Sequence, residues 1–277
     1  MPGTLYVVAT PLGNLGDLAP RAADVLRHAA VIAAEDTRRT RGLLSHLGAS
    51  STLLSFHAHS GERRLETLLE ILADGRDVAL VTDAGTPGVS DPGTDLVAAA
   101  RAAGVAVVPI PGPSAVATAL SAAGLPADRY LFLGFLPRKG TDRARLLARA
   151  AEEEWSVVLF EAPSRLVALL RDLAAAAGPG RTGLVARELT KLHEELRSGT
   201  LAELADYYSE TPPRGEVTVV VAGTGTPAAP PDRTADATEE ATALLAEGLS
   251  RREVARRLTE TLGMPRNDAY RLVMGLP

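Results

Sequence analysis

The first 110 residues alternate between short apolar runs and stretches in which apolar residues recur at helical spacing. Most of the runs are apolar on consecutive positions, which indicates strands buried on both faces of a sheet. The predicted strands are residues 5–9, 31–35, 52–56, 77–82 and 105–110, and the predicted helices are residues 18–28, 37–47, 61–74 and 92–103. This alternation predicts a mainly parallel sheet covered by helices.

A second α/β block follows a Pro-Gly-Pro-Ser segment at residues 111–114, which cannot continue a strand and indicates a hinge. Its predicted strands are residues 130–135, 156–160, 182–187, 195–198 and 217–222, and its predicted helices are residues 114–123, 142–153, 164–176 and 201–208. The next segment is rich in Pro, Gly and Ala, which is typical of a linker. Three short helices are predicted beyond it, at residues 235–247, 250–262 and 265–273.

The pattern therefore predicts an α/β protein with four parts. They are two α/β domains at residues 1–111 and 112–223, a linker at residues 224–234 and a small helical domain at residues 235–277.

Composition excludes several classes of function. The 277 residues include no cysteine, which excludes a disulfide scaffold, cysteine-ligated zinc, an iron–sulfur cluster and a catalytic thiol. No apolar run approaches the ~20 residues of a membrane helix, and no basic segment precedes the N-terminal apolar run. We therefore predict no membrane segment, no signal peptide and a cytoplasmic location. The net charge of −5 argues against an open nucleic-acid-binding coat but allows local basic patches.

Three loops rich in glycine and proline follow predicted strands, at residues 10–17, 82–93 and 111–115. In an open parallel sheet, ligands bind beyond the carboxyl ends of the strands, and glycine lets the backbone approach them closely. Turn formation alone explains any one of these loops, whereas three at one edge favour a single ligand site. None fits the dinucleotide-binding or phosphate-loop pattern, so NAD and ATP have no support.

The charged string at residues 35–39 lies where the second predicted strand enters a helix. Asp36 is either the N-cap of that helix or, with Glu35, a carboxylate that faces the same cleft. After the third strand, His57 and His59 would share one face of an extended segment. Because no third ligand is evident, we predict no metal site and favour contact with RNA or substrate, or plain surface histidines.

A second charged segment, residues 186–200, also follows a predicted strand. Its Arg187, Glu188 and Lys191 either line the cleft from the second domain or form a solvated charged turn. Residues 161–165 repeat this arrangement of a strand followed by a charged turn.

Two basic segments have the charge that phosphate contact needs. Residues 137–149 carry a net charge of +4, and residues 250–257 carry +3. In the second segment the apolar residues form a helical stripe with arginines mostly beside it. The stripe is Val254, Ala255, Leu258 and Leu262, and the arginines are Arg251, Arg252, Arg256 and Arg257. The end of the chain thus resembles a helix-turn-helix. Solvated arginine faces are the alternative interpretation.

At these motifs the sequence resembles the ribosomal RNA small subunit methyltransferase I family, which has the tetrapyrrole-methylase fold. The resemblance runs in order over roughly residues 4–222, and its specific parts are the strings EDTRRT, DAGTPGVSDPG and RELTKLHEE. With these motifs, the family implies 2′-O-methylation of a cytidine ribose (cytidine 1402, decoding centre) in 16S rRNA of the small ribosomal subunit. It also implies S-adenosyl-L-methionine in a cleft between two α/β domains, and a homodimer.

The resemblance also implies the residues that bind the cofactor. They are Pro11, Leu12, Gly13, Asn14, Asp83, Ala84, Gly85, Thr86, Pro87, Ser90, Asp91, Pro111, Gly112, Pro113, Ser114, Phe160, Glu161, Ala162, Arg187 and Leu189. Two positions depart from the family pattern, because Ala58 stands between His57 and His59 and Ser164 replaces a usual histidine. These departures argue against an essential side chain at 58 or 164.

Methyl transfer to a ribose hydroxyl needs alignment of the reacting atoms and a general base within ~3 Å. We expect the catalytic groups to be Asp36, Asp91, Glu188 and Lys191. We expect RNA contacts from Arg38, Arg39, His57, Arg138, Lys139, Arg143, Arg251, Arg252 and Arg256.

Two other functions remain as alternatives. The same fold methylates corrin precursors and an elongation-factor histidine derivative, but those enzymes would not need arginine-bearing C-terminal helices. A ligand-sensing DNA-binding regulator would read DNA with residues 235–277, against which the net charge of −5 argues.

Overall fold

The computed structural model describes residues 1–57, 60–225, 234–262, 264 and 266–276. Contacts divide the chain into two compact units, Met1–Pro227 and Ala228–Pro277. Both predicted α/β domains fall within the first unit. Most of the predicted linker, residues 226–233, lies outside the described residues.

The first sheet is entirely parallel, with strand order β3-β2-β4-β1-β5. Its strands are β1 (Thr4–Val8), β2 (Val31–Ala34), β3 (Thr52–Ser55), β4 (Val78–Val81) and β5 (Ala106–Ile110). The connecting helices are α1 (Pro20–His28), α2 (Thr37–Leu47), α3 (Glu62–Ala73) and α4 (Thr94–Ala102). Every residue of β2 and β4 is buried, and separate apolar clusters pack on the two faces of the sheet. The apolar runs of the sequence thus correctly predicted a covered parallel sheet.

Local chemistry sets the ends of the helices that border the carboxyl edge of this sheet. Asp36 is the N-cap of α2, accepting a hydrogen bond from the Arg38 backbone N–H (2.8 Å), and Gly48 ends this helix at φ 64°. The helix predicted from residue 92 begins at Thr94 instead. Gly93 precedes it because a side chain there would press on Leu80 of β4, with Cβ 2.6 Å from Leu80 Cδ2.

The second sheet is mixed, with strand order β6-β7-β10-β8-β9. Its strands are β6 (Tyr130–Phe135), β7 (Ser156–Glu161), β8 (Thr182–Arg187), β9 (Glu195–Thr200) and β10 (Val217–Val221). The β6–β7 pairing is parallel, whereas β10 runs antiparallel between β7 and β8. The helices of this half are α5 (Ala115–Ala122), α6 (Thr141–Glu152), α7 (Leu166–Ala177) and α8 (Leu201–Glu210).

Apolar packing joins the two halves of the first unit. Helix α5 follows the first sheet in the chain, yet its Val116, Ala119 and Leu120 pack on the second sheet. Leu12, from the loop after β1, packs against the same cluster. The carboxyl edge of the first sheet therefore faces the second sheet.

The second unit consists, in its described residues, of α9 (Thr234–Ala246), α10 (Arg251–Leu262) and α11 (Arg266–Gly275). Ser250 and Glu253 exchange hydrogen bonds at the start of α10 and so hold its first turn. The predicted stripe is confirmed as the core, since Val254, Ala255 and Leu258 are buried. The described residues contain no helix long and apolar enough to cross a bilayer.

Candidate active site

A cavity of about 390 Å³ lies where the loops of the first sheet meet the second sheet. This volume is in the range of sites for small molecules. Among the predicted cofactor residues, those that line the cavity are Leu12, Asp83, Ala84, Gly85, Thr86, Ser90, Asp91, Ser114, Phe160, Glu161, Ala162 and Leu189. The others flank the lining residues along the chain or belong to neighbouring turns: Pro11, Gly13, Asn14, Pro87, Pro111, Gly112, Pro113 and Arg187. The structure thus brings the three predicted loops together around one space.

Hydrogen bonds tie these three loops to one another. Thr10 and Gly85 exchange two backbone hydrogen bonds, of 2.9 and 3.0 Å, and Gly85 adopts φ 83° to do so. The Thr86 hydroxyl donates to the Pro113 carbonyl (3.2 Å). The loops therefore form one connected wall rather than three independent turns.

The loop that carries Asp91 is pressed against β6 of the second sheet. Ser90 adopts φ 62°, which is uncommon for a residue with a side chain. Gly134 of β6 adopts φ 61°, and a Cβ atom added to it would lie 2.8 Å from the Ser90 hydroxyl oxygen. Such backbone conformations persist where the surrounding structure enforces them, and they concentrate at functional sites.

The cavity wall is acidic. Four acidic residues line it, Asp83, Asp91, Glu161 and Glu216, and no lysine, arginine or histidine is among the described residues that do so. Three of them pair with a cation outside the lining: Asp83 with Arg39 (3.5 Å), the fully buried Glu161 with Arg165 (3.1 Å) and Glu216 with Lys191 (3.1 Å). Burial, together with the charges of Glu35 and Asp83, raises the pKa of Asp91 to about 6. Asp91 is therefore mostly ionised at neutral pH, yet it takes up a proton far more readily than an ordinary aspartate.

Asp36 does not line the cavity, and its carboxylate is already engaged. It accepts hydrogen bonds from the Arg38 backbone and from the Arg38 guanidinium, with Nη2 2.7 Å from Oδ2. The Arg38 hydrogen bonds lower the pKa of Asp36 to about 2. Its backbone N–H donates to Asp83 Oδ1 (3.0 Å), and Arg39 lies 3.5 Å from the other Asp83 oxygen. Asp36 thus caps α2 and helps to orient Asp83.

Glu188 and Lys191 form a hydrogen-bonded network that holds the loop before β10. Glu188 Oε1 accepts hydrogen bonds from Lys191 Nζ (2.8 Å) and from the Glu216 backbone (3.0 Å). Lys191 Nζ also lies 3.1 Å from the Glu216 carboxylate. Burial alone would raise the pKa of Glu188, but the hydrogen bonds from Lys191 and Glu216 outweigh it and lower that pKa.

The turn at residues 188–191 also contacts the loop after β1 of the first sheet. Asn14 donates its backbone N–H to the Thr190 hydroxyl (3.1 Å), and Gly13 packs so closely on Lys191 that no side chain fits there. Glu188 and Thr190 adopt φ 51° and 66°. Arg187 pairs with Glu195 across β8 and β9 (2.9 Å). This segment therefore positions the cavity loops from the side of the second sheet.

The segment 215–218, which precedes and opens β10, and Phe135 line the cavity but were not predicted from the sequence. Val89 also lines it, within the predicted loop 82–93. Because β10 is antiparallel, its amino end lies beside the carboxyl ends of β7 and β8, with Val217 opposite both Glu161 and Arg187. A search restricted to loops that follow strands cannot find such a segment. The available signal was a glycine and a glutamate directly before an apolar run.

The predicted RNA-contacting residues of the first unit differ in their surroundings. Arg38 is 85% exposed although it pairs with Asp36, and His57 is exposed in the loop after β3. Its predicted companion His59, like Ala58, lies outside the described residues. Arg138 and Lys139 are exposed, and no ion pair to either occurs in the described part of the chain.

Arg143 is nearly buried. Its side chain is 11% exposed, pairs with Asp172 (2.6 Å) and donates to the Pro137 carbonyl (3.0 Å). This arginine therefore ties α6 to α7 and to the turn after β6.

In the second unit, Arg251 donates to the Val273 carbonyl (3.1 Å), which ties α10 to the end of α11. Arg252 is exposed, and Arg256 pairs loosely with Glu260 (3.4 Å). Arg252 and Arg256 thus remain accessible to a partner, whereas Arg251 has a structural role.

Comparisons with known proteins agree with this fold. Residues 4–205 match the model of the Tetrapyrrole (Corrin/Porphyrin) Methylases. A cobalt precorrin-4 methyltransferase has a TM-score of 0.64 at 18% identity, covering 79% of this chain and 94% of that one. Uroporphyrin-III C-methyl transferase of Thermus thermophilus, solved with S-adenyl homocysteine, has a TM-score of 0.58 at 20% identity, covering 79% and 97%. These neighbours confirm the predicted fold class.

Curated relatives match the chain over nearly its full length. Ribosomal RNA small subunit methyltransferase I of Synechocystis sp. is 46% identical, covering 99% of this chain and 98% of the relative. The protein of the same name from Escherichia coli O157:H7 is 41% identical, covering 98% and 95%. The predicted resemblance is thereby confirmed, and the chain is a methyltransferase that belongs to the ribosomal RNA small subunit methyltransferase I family.

Proposed function

We propose that the chain transfers a methyl group from S-adenosyl-L-methionine to the 2′-hydroxyl of a cytidine in the decoding centre (cytidine 1402) of 16S rRNA. The cavity that the three predicted loops line together carries this proposal, with Asp91 as the one of its four acidic residues that forms no ion pair with a described residue. The names of the relatives support ribosomal RNA of the small subunit as the acceptor. The small-molecule ligand of a neighbour with the same fold supports the donor.

The charge of the cavity fits this cofactor. When bound, S-adenosyl-L-methionine supplies a methyl group that is already activated on a positively charged sulfonium. The carboxylate of Asp91, which forms no ion pair with any described residue, suits a cationic ligand, whereas a phosphate-bearing cofactor such as NAD or ATP would meet like charge there. Glu161 is fully buried and pairs with Arg165 (3.1 Å), so its charge is balanced within the protein. The apolar side chains of Leu12 and Phe160 supply apolar walls for the cofactor.

Among the predicted catalytic groups, we assign the general base to Asp91. A ribose hydroxyl becomes a useful nucleophile only as its proton leaves, and a base is most effective when its pKa lies near the operating pH. Asp91 lines the cavity, has a pKa of about 6, and forms no ion pair with any described residue. Asp36 is held by Arg38, and Glu188 by Lys191. We therefore assign Asp36, Glu188 and Lys191 to positioning.

RNA phosphates must lie outside the acidic cavity. For their contacts we propose Arg38, Arg39, His57, Arg138 and Lys139 in the first unit, and Arg252 and Arg256 in the second. The proposal retains the predicted domains 1–111, 112–223 and 235–277 and assigns RNA contact to the last of them. Arg143 and Arg251 leave the list because their guanidinium groups bind the protein itself.

The contrast between Arg138 and Arg143 is testable. Combining Arg138→Ala with Lys139→Ala is expected to weaken binding to 16S rRNA without lowering stability. It should also reduce the slope of log affinity against log salt by about one to two, because each phosphate contact releases counterions. Arg143→Ala should instead lower the free energy of unfolding by about 1–2 kcal/mol and leave the salt slope unchanged. Binding titrations at several salt concentrations measure the slopes, and thermal unfolding measures the stability. Equal salt slopes in the two variants would contradict the assignment of Arg138 and Lys139 to RNA contact and of Arg143 to structure.

The predicted homodimer and cytoplasmic location remain part of the proposal, on the strength of the family resemblance. Sedimentation equilibrium should give twice the mass of one chain at micromolar concentration. A monomer at all concentrations would remove the dimer from the proposal without affecting the reaction.

The proposed reaction is tested with labelled S-adenosyl-L-methionine and small ribosomal subunits from cells that lack the modification, with bare 16S rRNA in parallel. A methylated 2′-hydroxyl blocks alkaline cleavage of the adjoining 3′ phosphodiester bond. Label in a single alkali-resistant cytidine is the expected result. Absence of label from both RNAs, with the cofactor still bound, would favour a small-molecule acceptor such as a corrin precursor.

A further inference from the structure

A row of aromatic rings leads from the packed face of the second sheet to the cavity. The ring centroids of Phe132 and Phe160 are 5.0 Å apart in an edge-to-face arrangement, and those of Phe160 and Phe135 are 5.5 Å apart. Phe160 and Phe135 both line the cavity, but Phe132 and Phe160 are partly buried, whereas Phe135 is 55% exposed. The last ring of the row thus keeps a large part of its surface available to a ligand.

A β-bulge places this last ring on the side of the cavity. Residues three apart on a regular strand point to opposite faces of the sheet. In β6 the pairing with β7 shifts between Phe132 and Gly134, so that Leu133 is the extra residue. One extra residue returns Phe135 to the face of Phe132, and both rings contact Phe160. Gly134, whose φ of 61° permits this bend, is the residue against which Ser90 packs.

The surroundings of Phe135 suit one nucleotide. On the cavity side the wall includes Asp91 and the partly exposed Val89. Along the chain, Phe135 is followed within four residues by the exposed Arg138 and Lys139. A cavity wall that contains an aromatic face and a carboxylate, followed in the chain by two exposed cations, offers complements to a base, a ribose hydroxyl and a phosphate.

We propose that Phe135 is the platform on which the base of the acceptor nucleotide stacks, so that its ribose is directed toward Asp91. This inference rests on the proposed function and adds to it a residue that positions the RNA. Protein recognition of single-stranded RNA uses unstacked bases on aromatic side chains. Stacking accepts any base, so Phe135 fixes the position of the nucleotide rather than its identity.

The experiment compares Phe135→Ala with the wild-type enzyme and with a control on the same strand. Tyr130 begins β6, is 46% exposed and does not line the cavity, so Tyr130→Ala removes an exposed aromatic ring of similar size elsewhere. Phe135→Ala is expected to lower kcat/KM for small subunits by about ten- to a hundredfold, while Tyr130→Ala leaves it unchanged. Calorimetric titration should show the same affinity for S-adenosyl-L-methionine in all three proteins. Phe135→Tyr should restore most of the loss, because a phenol ring stacks as well.

Several outcomes would overturn the inference. Normal kcat/KM in Phe135→Ala would show that no base stacks there. A loss of affinity for S-adenosyl-L-methionine in Phe135→Ala as large as its loss of kcat/KM would show that Phe135 binds the cofactor instead. A change of oligomeric mass that accounts for the lost activity would make it an interface residue, since β6 is an edge strand. If the wild-type enzyme labels no RNA, the proposed function itself fails and the inference falls with it.

Discussion

Replacing Asp91 with asparagine is expected to lower the rate of methyl transfer by about 10²- to 10⁴-fold, the usual contribution of a general base. Asparagine has nearly the same shape as aspartate, so the loop should stay in place against Gly134. The affinity for S-adenosyl-L-methionine should fall much less than the rate, because the three loops that line the cavity keep their backbone contacts with one another.

The pH dependence follows from the same carboxylate. Burial raises the pKa of Asp91 to about 6, and a base acts in its deprotonated form. In the wild-type enzyme, kcat/KM should therefore rise with pH through about 6 and level off above it. This inflection should be absent in Asp91→Asn, measured as residual activity from pH 5 to pH 9.

The substitution Asp91→Asn should also make the protein more stable at high pH. The pKa of Asp91 is raised in the folded state from 3.8 to about 6, so the native protein binds this proton more tightly than the unfolded chain does. The resulting stabilisation is present below pH 3.8 and is lost as the pH rises through about 6. At pH 8, Asp91→Asn should gain on the order of 1 kcal/mol, discounted for partial exposure. That gain raises Tm by about 2–4 °C.

Thermal unfolding at pH 5 and pH 8 measures this effect, with Asp74→Asn as the matched control. Asp74 is exposed at the end of α3, outside the cavity, so its substitution should leave both rate and pH profile unchanged. An Asp91→Asn enzyme with normal turnover, or with the inflection near pH 6 preserved, would contradict the assignment of the base. In the first case the search for the base would return to Asp36 and Glu188.

Replacing Gly215 with alanine is expected to weaken binding of S-adenosyl-L-methionine at least tenfold, about 1.4 kcal/mol or more. Gly215 adopts φ 83°, and a Cβ there would overlap the carboxylate of Glu188. That carboxylate holds Lys191 and the Glu216 backbone, so its displacement moves the segment that lines the cavity before β10. Thermal stability should also fall, by about 1–3 kcal/mol.

Gly104→Ala is the control for Gly215→Ala. Gly104 has a similar φ of 73°, but a Cβ there would meet open space, so it adds backbone strain without displacing a side chain. Its cofactor affinity should equal that of the wild-type enzyme, while Tm falls slightly. Equal cofactor affinity in both variants, measured by calorimetry, would show that the network of Glu188 does not shape the cavity.

Much of the fold was predictable from sequence because its signals are local. Consecutive apolar residues at 31–34 and 78–81 could be satisfied only by strands covered on both faces, and the structure buries every one of them. The helix over Thr37–Leu47 was bounded correctly, since an aspartate cap and a glycine stop act within a turn of the chain. The three cavity loops of the first sheet were predictable for a related reason, because the carboxyl ends of parallel strands meet at one edge.

The roles of the charged residues depended on tertiary structure. Asp36 and Asp91 were equal candidates in the sequence, and both follow strands of the same sheet. An arginine two residues away holds Asp36 as a low-pKa helix cap, whereas burial against the second sheet and the nearby Glu35 and Asp83 raise the pKa of Asp91. Ionisation depends on solvent exclusion and on charges distant in sequence, so residue type and spacing could not distinguish the two.

The sequence by itself determined the family, the parallel first sheet and the loops that supply most of the cavity wall, because each rests on a local pattern. The tertiary structure decided the rest of the site. Inserting β10 antiparallel between β7 and β8 brought Gly215 and Glu216 to the cavity, and one extra residue in β6 turned Phe135 toward it. Strand order and the position of a bulge depend on contacts between segments far apart in the chain, so the residue pattern of one segment taken alone does not give them.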